Sequence, residues 1–250
     1  MCARTVHTVG PDAPPIPDLQ ARLQAVAEPE TREWWTRYLK GAASFRGVPM
    51  PEIRRVVAGW VADHALLDQP DDRLLALVDA LFRQPDTEDK LAAILFIQEW
   101  LLPAGRVRWP VALGRWSRLF EDGAIADWNT CDWFCVKVLG PLIRRHGEAC
   151  GRAVADWIDG DTLWQRRAST VAFVNLVRGD PPFPGLPGLV LRNCRALVSE
   201  EERFAQTAAG WVLRELSRTE PEAVEAFLAE HGDAMTAEAR ARARSHLDDR

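Results

Sequence analysis

Apolar residues recur at helical spacing along nearly the whole chain, and proline or glycine interrupts them about every 12 to 20 residues. No other feature narrows the choice of fold as far. Leu19, Leu23 and Val26 make one stripe; Trp34, Trp35 and Leu39 make the next. Ile53, Val56, Val57 and Trp60 repeat the pattern, as do Leu74, Leu77, Val78 and Leu81. It continues through 91–102, 111–119, 133–143, 153–158, 168–177, 189–198, 204–216 and 224–228. Few stretches alternate with the period of two that a strand requires. Breaks fall at Pro49, Gln69-Pro70, Pro85, Pro103, Gly123, Gly147, Gly160, the Pro181–Gly188 loop and Pro221. Thr31 with Glu33, Ser199 with Glu202, and Thr236 with Glu238 read as helix starts.

Short helices joined by short turns predict an all-α chain. Helix pairs of this size stack as α-solenoids, and about six pairs fit the length. No strict repeat is visible, so the repeats are degenerate. A solenoid curves, and its concave face suits an extended partner such as a nucleic-acid backbone. Residues 17–250 are expected to form one domain, because the proline-rich segment at 180–188 is too short for a domain linker. Residues 1–16, with Pro11, Pro14 and Pro15, read as a flexible leader.

No apolar run is long enough to span a bilayer, since Leu91 to Leu102 is short and broken by Gln98 and Glu99. The N-terminus lacks the charged-then-apolar pattern of a signal peptide, so a cytoplasmic protein is expected. The cysteines at 2, 131, 135, 150 and 194 are odd in number and scattered, which argues against a disulfide framework. Cys131 and Cys135 stand one helical turn apart, but no CxxC or histidine pair completes a metal site. Buried structural cysteines are expected, and neither metal nor cofactor. Net charge is −5, yet residues 103–200 carry 13 basic against 10 acidic groups. Lysine occurs only at 40, 90 and 137, so the basic groups are nearly all arginine, the better fork for phosphate.

Three segments carry chemistry. In Asp127-Trp128-Asn129-Thr130-Cys131-Asp132-Trp133-Phe134 the spacing predicts a helix start that puts Trp128 and Asp132 on one face. A carboxylate beside a large aromatic wall suits a reaction that builds positive charge on a sugar ring. The other two segments are Leu163-Trp164-Gln165-Arg166-Arg167-Ala168 and Ala208-Ala209-Gly210-Trp211-Val212-Leu213-Arg214-Glu215. Most of the 11 tryptophans belong in the core; Trp60, Trp100, Trp116 and Trp157 sit inside apolar stripes.

These segments, with Arg37-Tyr38-Leu39-Lys40, Phe45-Arg46-Gly47-Val48, Pro51-Glu52-Ile53-Arg54-Arg55 and Thr219-Glu220-Pro221, occur in an order and spacing that resembles one family. It is that of the DNA alkylation repair enzymes of the AlkD type, built from HEAT-like helical repeats. The resemblance runs over nearly the whole chain and is most specific in the Ala208–Glu215 block. It implies a site of Asp132, Trp128, Trp211, Arg167 and Tyr38, the last being the only tyrosine. Two departures are Thr207, where the family often has lysine, and the acidic overall balance.

The implied reaction is hydrolysis of the N-glycosidic bond of a cationic N3- or N7-alkylated purine in double-stranded DNA. Asp132 would face the developing oxocarbenium ion and position water. Trp128 and Trp211 would flank the damaged nucleotide. Arg167 would grip a phosphate, with Tyr38 and Arg166 as further DNA contacts. The resemblance also implies excision without burying the base in a tight pocket. No lysine or N-terminal amine is placed to attack the sugar, so no lyase step is expected, and a monomer is expected. Some relatives remove bulky drug adducts in antibiotic producers. The other readings are a non-catalytic helical-repeat DNA binder and a protein-binding solenoid.

Overall fold

The computed structural model describes residues 15–248, and helices account for most of them. Among the described residues there is no strand, only an isolated bridge between Ser44 and Asp86. The leader expected over 1–16 lies outside the described residues except for Pro15 and Ile16, which open the first helix. No helix among the described residues is long and apolar enough to cross a membrane.

The chain divides into two compact units at Arg106. The first contains α1 (Pro15–Ala25), α2 (Pro29–Tyr38), α3 (Met50–Asp63), α4 (Asp71–Phe82) and α5 (Thr87–Phe96). Its core forms where α3 packs on α1 and α5, and α5 on α4. Trp60, Phe82 and Phe96 are buried there, with Trp60 edge-on to Phe96 at 5.8 Å. The loop between α2 and α3 is clasped by Glu88. Its buried carboxylate accepts from the backbone N–H groups of Arg46, Gly47 and Val48 at 3.1, 2.8 and 3.1 Å.

The second unit contains α6 (Trp109–Glu121), α7 (Trp128–Phe134), α8 (Gly140–His146), α9 (Glu148–Ala155) and α10 (Leu163–Val171). It ends with α11 (Leu186–Val198), α12 (Arg203–Leu216), α13 (Pro221–His231) and α14 (Ala237–Arg244). α12 is its centre, packed against α10, α11, α13 and α14. α10 in turn packs on α7, which brings the second and third sequence segments towards the first.

Several boundaries depart from the sequence reading. Ser199 ends α11 rather than starting α12, and Thr31 lies inside α2, whose N-cap is Glu28. Thr236 does cap α14, accepting from Ala239 N–H. The connector expected up to Gly188 is shorter. Pro187 already sits in the first turn of α11, where a missing N–H costs nothing. α10 stops at Val171 although its apolar pattern runs to Val177. The continuation is held by tight i→i+3 bonds, such as Leu176 N–H to Phe173 C=O at 2.8 Å. Of the stripe Trp34, Trp35 and Leu39, only Leu39, just past the end of α2, is buried, since α2 itself buries no residue. Trp34 and Tyr38 are about half exposed and stack on each other, with ring centroids 4.9 Å apart. Trp60, Trp116 and Trp157 are buried as expected, but Trp100 is only half-buried.

Two helices loosen into a π turn, at Ile97–Leu101 and Cys135–Leu139. The second follows directly on α7 and continues into α8, so the helix carrying Trp128 and Asp132 does not end but widens. Such turns concentrate at functional sites.

Candidate active site

Asp127 starts α7. Its side chain accepts from Thr130 N–H at 2.8 Å and takes the capping role, which leaves Asp132 free of it. Trp128 is then the first helical residue and Asp132 lies one turn on. Both are half-buried, with 15% of the Asp132 side chain exposed. Cys131, between them, is fully buried, and its thiol points at Trp164 C=O at 3.5 Å. Burial pushes that thiol well above its ordinary range, so it stands beside Asp132 as a neutral group. The four described cysteines, 131, 135, 150 and 194, are all buried.

Arg167, on α10, reaches Asp132 with a two-pronged fork. Nε donates to Oδ1 at 2.7 Å and Nη2 to Oδ2 at 2.8 Å. Its Nη1 donates to Phe204 C=O at 2.6 Å and Thr207 Oγ1 at 3.4 Å, both on α12. Only 4% of the Arg167 side chain is exposed. Burial works against the charge of this guanidinium, but the Asp132 carboxylate outweighs it and holds the pKa above the usual arginine value. α7, α10 and α12 therefore meet at one ion pair. Phe204 lies against the guanidinium, 6.0 Å from ring centroid to Cζ. Thr207, the departure from the family's usual lysine, has a structural use as a ligand of Arg167.

Trp211 lies one turn beyond Thr207 on α12 and is half-buried. The guanidinium of Arg242, on α14, sits over its ring at 5.7 Å. Burial, then Arg167 and Arg214 nearby, hold Arg242 below the ordinary arginine pKa. Sequence reasoning missed this residue, because it lies in an alternating Ala-Arg run that reads as a solvated helix.

Of the residues expected at the site, Asp132, Arg167 and the Trp211 helix are brought together, with Trp128 on the face of α7 that carries Asp132. Tyr38 belongs to the first unit, exposed on α2. Arg166, expected on DNA, is already engaged. It forks onto Glu200 at 2.8 Å through Nε and Nη2, while Nη1 donates to Gly160 and Asp161 C=O. Arg167, expected on a phosphate, gives its donors to Asp132 and α12.

The chain matches a protein-family model described as "DNA alkylation repair enzyme" over residues 19–247. Its fold is similar to a solved structure described as a predicted DNA alkylation repair enzyme from Enterococcus faecalis. The TM-score is 0.71 at 20% identity, covering 90% of this chain and 98% of that one. No curated protein sequence matches.

Proposed function

The chain belongs to the DNA alkylation repair enzyme family, and from that premise we propose that it is a monofunctional DNA glycosylase of base excision repair. It hydrolyses the N-glycosidic bond of N3- or N7-alkylated purines in duplex DNA, as a cytoplasmic monomer without a cofactor. The observation that carries this reading is Asp132, held at the edge of the protein by a buried arginine fork.

An alkylated purine is cationic and leaves readily, so little general-acid help is needed. The demand is for negative charge facing the sugar as it becomes oxocarbenium-like. Asp132 supplies it. The Arg167 fork occupies one lone pair on each oxygen and fixes the plane of the carboxylate, leaving the outer lone pairs to face the sugar and orient the attacking water. Trp128 and Trp211 offer ring faces to the damaged nucleotide and to positive charge. Arg167 is a positioning residue for Asp132 and acts on the substrate through it. Tyr38, with its ring supported by Trp34, is a contact for the DNA. Arg166 braces the turn before α12. The base is excised without being swallowed in a pocket, which opens the site to bulky adducts of the kind an antibiotic producer must remove from its own DNA.

A binding-only protein of the same fold is the second reading, favoured by the pairing of both Asp132 oxygens with Arg167. Duplex DNA with a single N7-methylguanine separates the two. Wild type should generate abasic sites, and Asp132→Asn should do so at least about 10²-fold more slowly. Equal rates in the two proteins remove Asp132 from the mechanism. Salt-dependent binding without release of methyl-sized or bulky N7 adducts establishes the binding-only reading.

A further inference from the structure

Trp211, Arg214 and Glu215 fall on one stripe of α12, at spacings of three and four, and Arg218 follows in the turn just past its end. Arg178, from the turn that continues α10, completes a group of three guanidiniums around one carboxylate. Glu215 is buried, with 3% of its side chain exposed. Its Oε2 accepts from Arg178 Nε at 2.9 Å and Arg218 Nε at 3.3 Å, and Oε1 lies 3.7 Å from Arg214 Nη1. Among the described residues, no other carboxylate forms a described ion pair with any of the three arginines. The group therefore carries two positive charges in excess.

A single fork would satisfy a buried glutamate. Here three arginines share it, and they are not closed over. With Trp211 and Glu215 they line an open hollow of about 440 Å³. Arg214 Nε is buried with no hydrogen-bond partner. Arg178 and Arg218 expose about half of their side chains, although Arg218 Nη2 also meets His246 Nε2 at 2.6 Å. Arg242 stands over the Trp211 ring and adds a further cation to the same neighbourhood.

We propose that Arg178, Arg214 and Arg218, oriented by Glu215, seat a backbone phosphate of the DNA strand whose damaged nucleotide faces Trp211. Guanidinium forks match phosphate oxygens, and a surplus of two charges matches a phosphodiester with charge to spare. The register also fits. From Trp211 to Arg214 is about 4.5 Å along the helix axis at about 1.5 Å per residue. That is about one nucleotide of a strand at about 3.4 Å each, and Arg218 lies beyond it in the following turn. Arg167, the expected phosphate ligand, and Arg166, an expected DNA contact, are occupied internally, which leaves this group to hold the strand beside Trp211. The assignment rests on duplex DNA being the substrate.

The test is titration of a fluorescein-labelled undamaged duplex over a range of salt concentrations. Arg178→Gln/Arg218→Gln should bind about tenfold or more weakly at low salt, with the slope of log K against log [salt] reduced by about one to two. Arg178→Lys/Arg218→Lys, which keeps the charges, should recover most of that slope and shows whether the loss is electrostatic if the glutamine variant is unstable. Arg55→Gln/Arg152→Gln changes net charge equally at exposed sites and should leave the slope nearly intact. Equal slopes in the two glutamine variants overturn the phosphate seat. The abasic-site assay on the same proteins keeps the two claims apart. Base release by wild type with equal slopes sinks the seat alone, whereas a selective loss of slope without base release by wild type sinks the glycosylase alone.

Discussion

At the scale of single residues, the Asp132–Arg167 pair should decide both stability and, on the proposed function, activity, and its two halves are not equivalent. Removing Asp132 leaves a guanidinium that is almost fully buried, whereas removing Arg167 leaves a carboxylate that still reaches water. Breaking a buried pair costs about 3–5 kcal/mol. Asp132→Ala should therefore fall in that range in urea unfolding, and Arg167→Met clearly below it. Arg167→Lys keeps the charge but cannot fork, so it should lower the excision rate about tenfold or more while losing less stability than Arg167→Met. Equal stability losses for Asp132→Ala and Arg167→Met would show that the pair is more hydrated than its burial indicates. The carboxylate and Trp128 were legible in the sequence because one helix turn joins them. The partner of Asp132 was not, because the contact crosses 35 residues of chain and Arg167 by itself looks like a phosphate ligand. Arg242 left no trace, since only packing of α14 on α12 sets it over Trp211.

Elements place these residues, and their ends and close approaches are where substitutions should speak. Asp127→Ala removes the cap of α7 and should cost about 1 kcal/mol by thermal or urea unfolding. It should also lower excision, because Trp128 and Asp132 take their register from that first turn. Gly210 has a different reason. A Cβ there would lie 2.6 Å from Ala239 C=O, so α12 and α14 touch backbone to backbone beside Trp211. Gly210→Ala must push α14 away and should destabilise by about 1–3 kcal/mol, as overpacking does. Gly114, in the middle of α6, has open space at the same position. Gly114→Ala should raise stability by about 0.5–1 kcal/mol. If the two substitutions shift the urea midpoint in the same direction, the close contact of α12 and α14 is not real. Helix content was plain in the sequence because apolar spacing and proline breaks agree along the chain. The two π turns were not, since a widened turn keeps the apolar pattern. Trp34 and Trp35 misled for the opposite reason. Their spacing is that of a core face, yet Trp34 stacks on exposed Tyr38, and Trp35 stays half-buried against the ring of Phe45.

For the whole molecule, the question is how a chain of net charge −5 acts on a polyanion. Net charge sets solubility and long-range approach; local charge sets the contact. The surplus around Glu215 and the exposed Arg242 provide a local field that the total hides. The same surroundings bear on which lesions fit. A pocket for a flipped base is apolar, aromatic and closed around the base. The hollow proposed above as a phosphate seat has Trp211 as its one aromatic wall, with three arginines and one glutamate for the rest, and it is open. On the proposed function, such a wall offers no apolar cleft that measures an alkyl group, and discrimination is expected from the charge and leaving ability of the base. Single-turnover excision of an N7-methylguanine and of a bulky cationic N7-guanine adduct should therefore differ by no more than the about 10–200-fold that hydrophobic fit alone provides. The difference should also track the chemical lability of each glycosidic bond. A loss of 10⁴-fold or more for the bulky adduct would mean that the base is enclosed after all, and that the two tryptophans close over it rather than stand beside it.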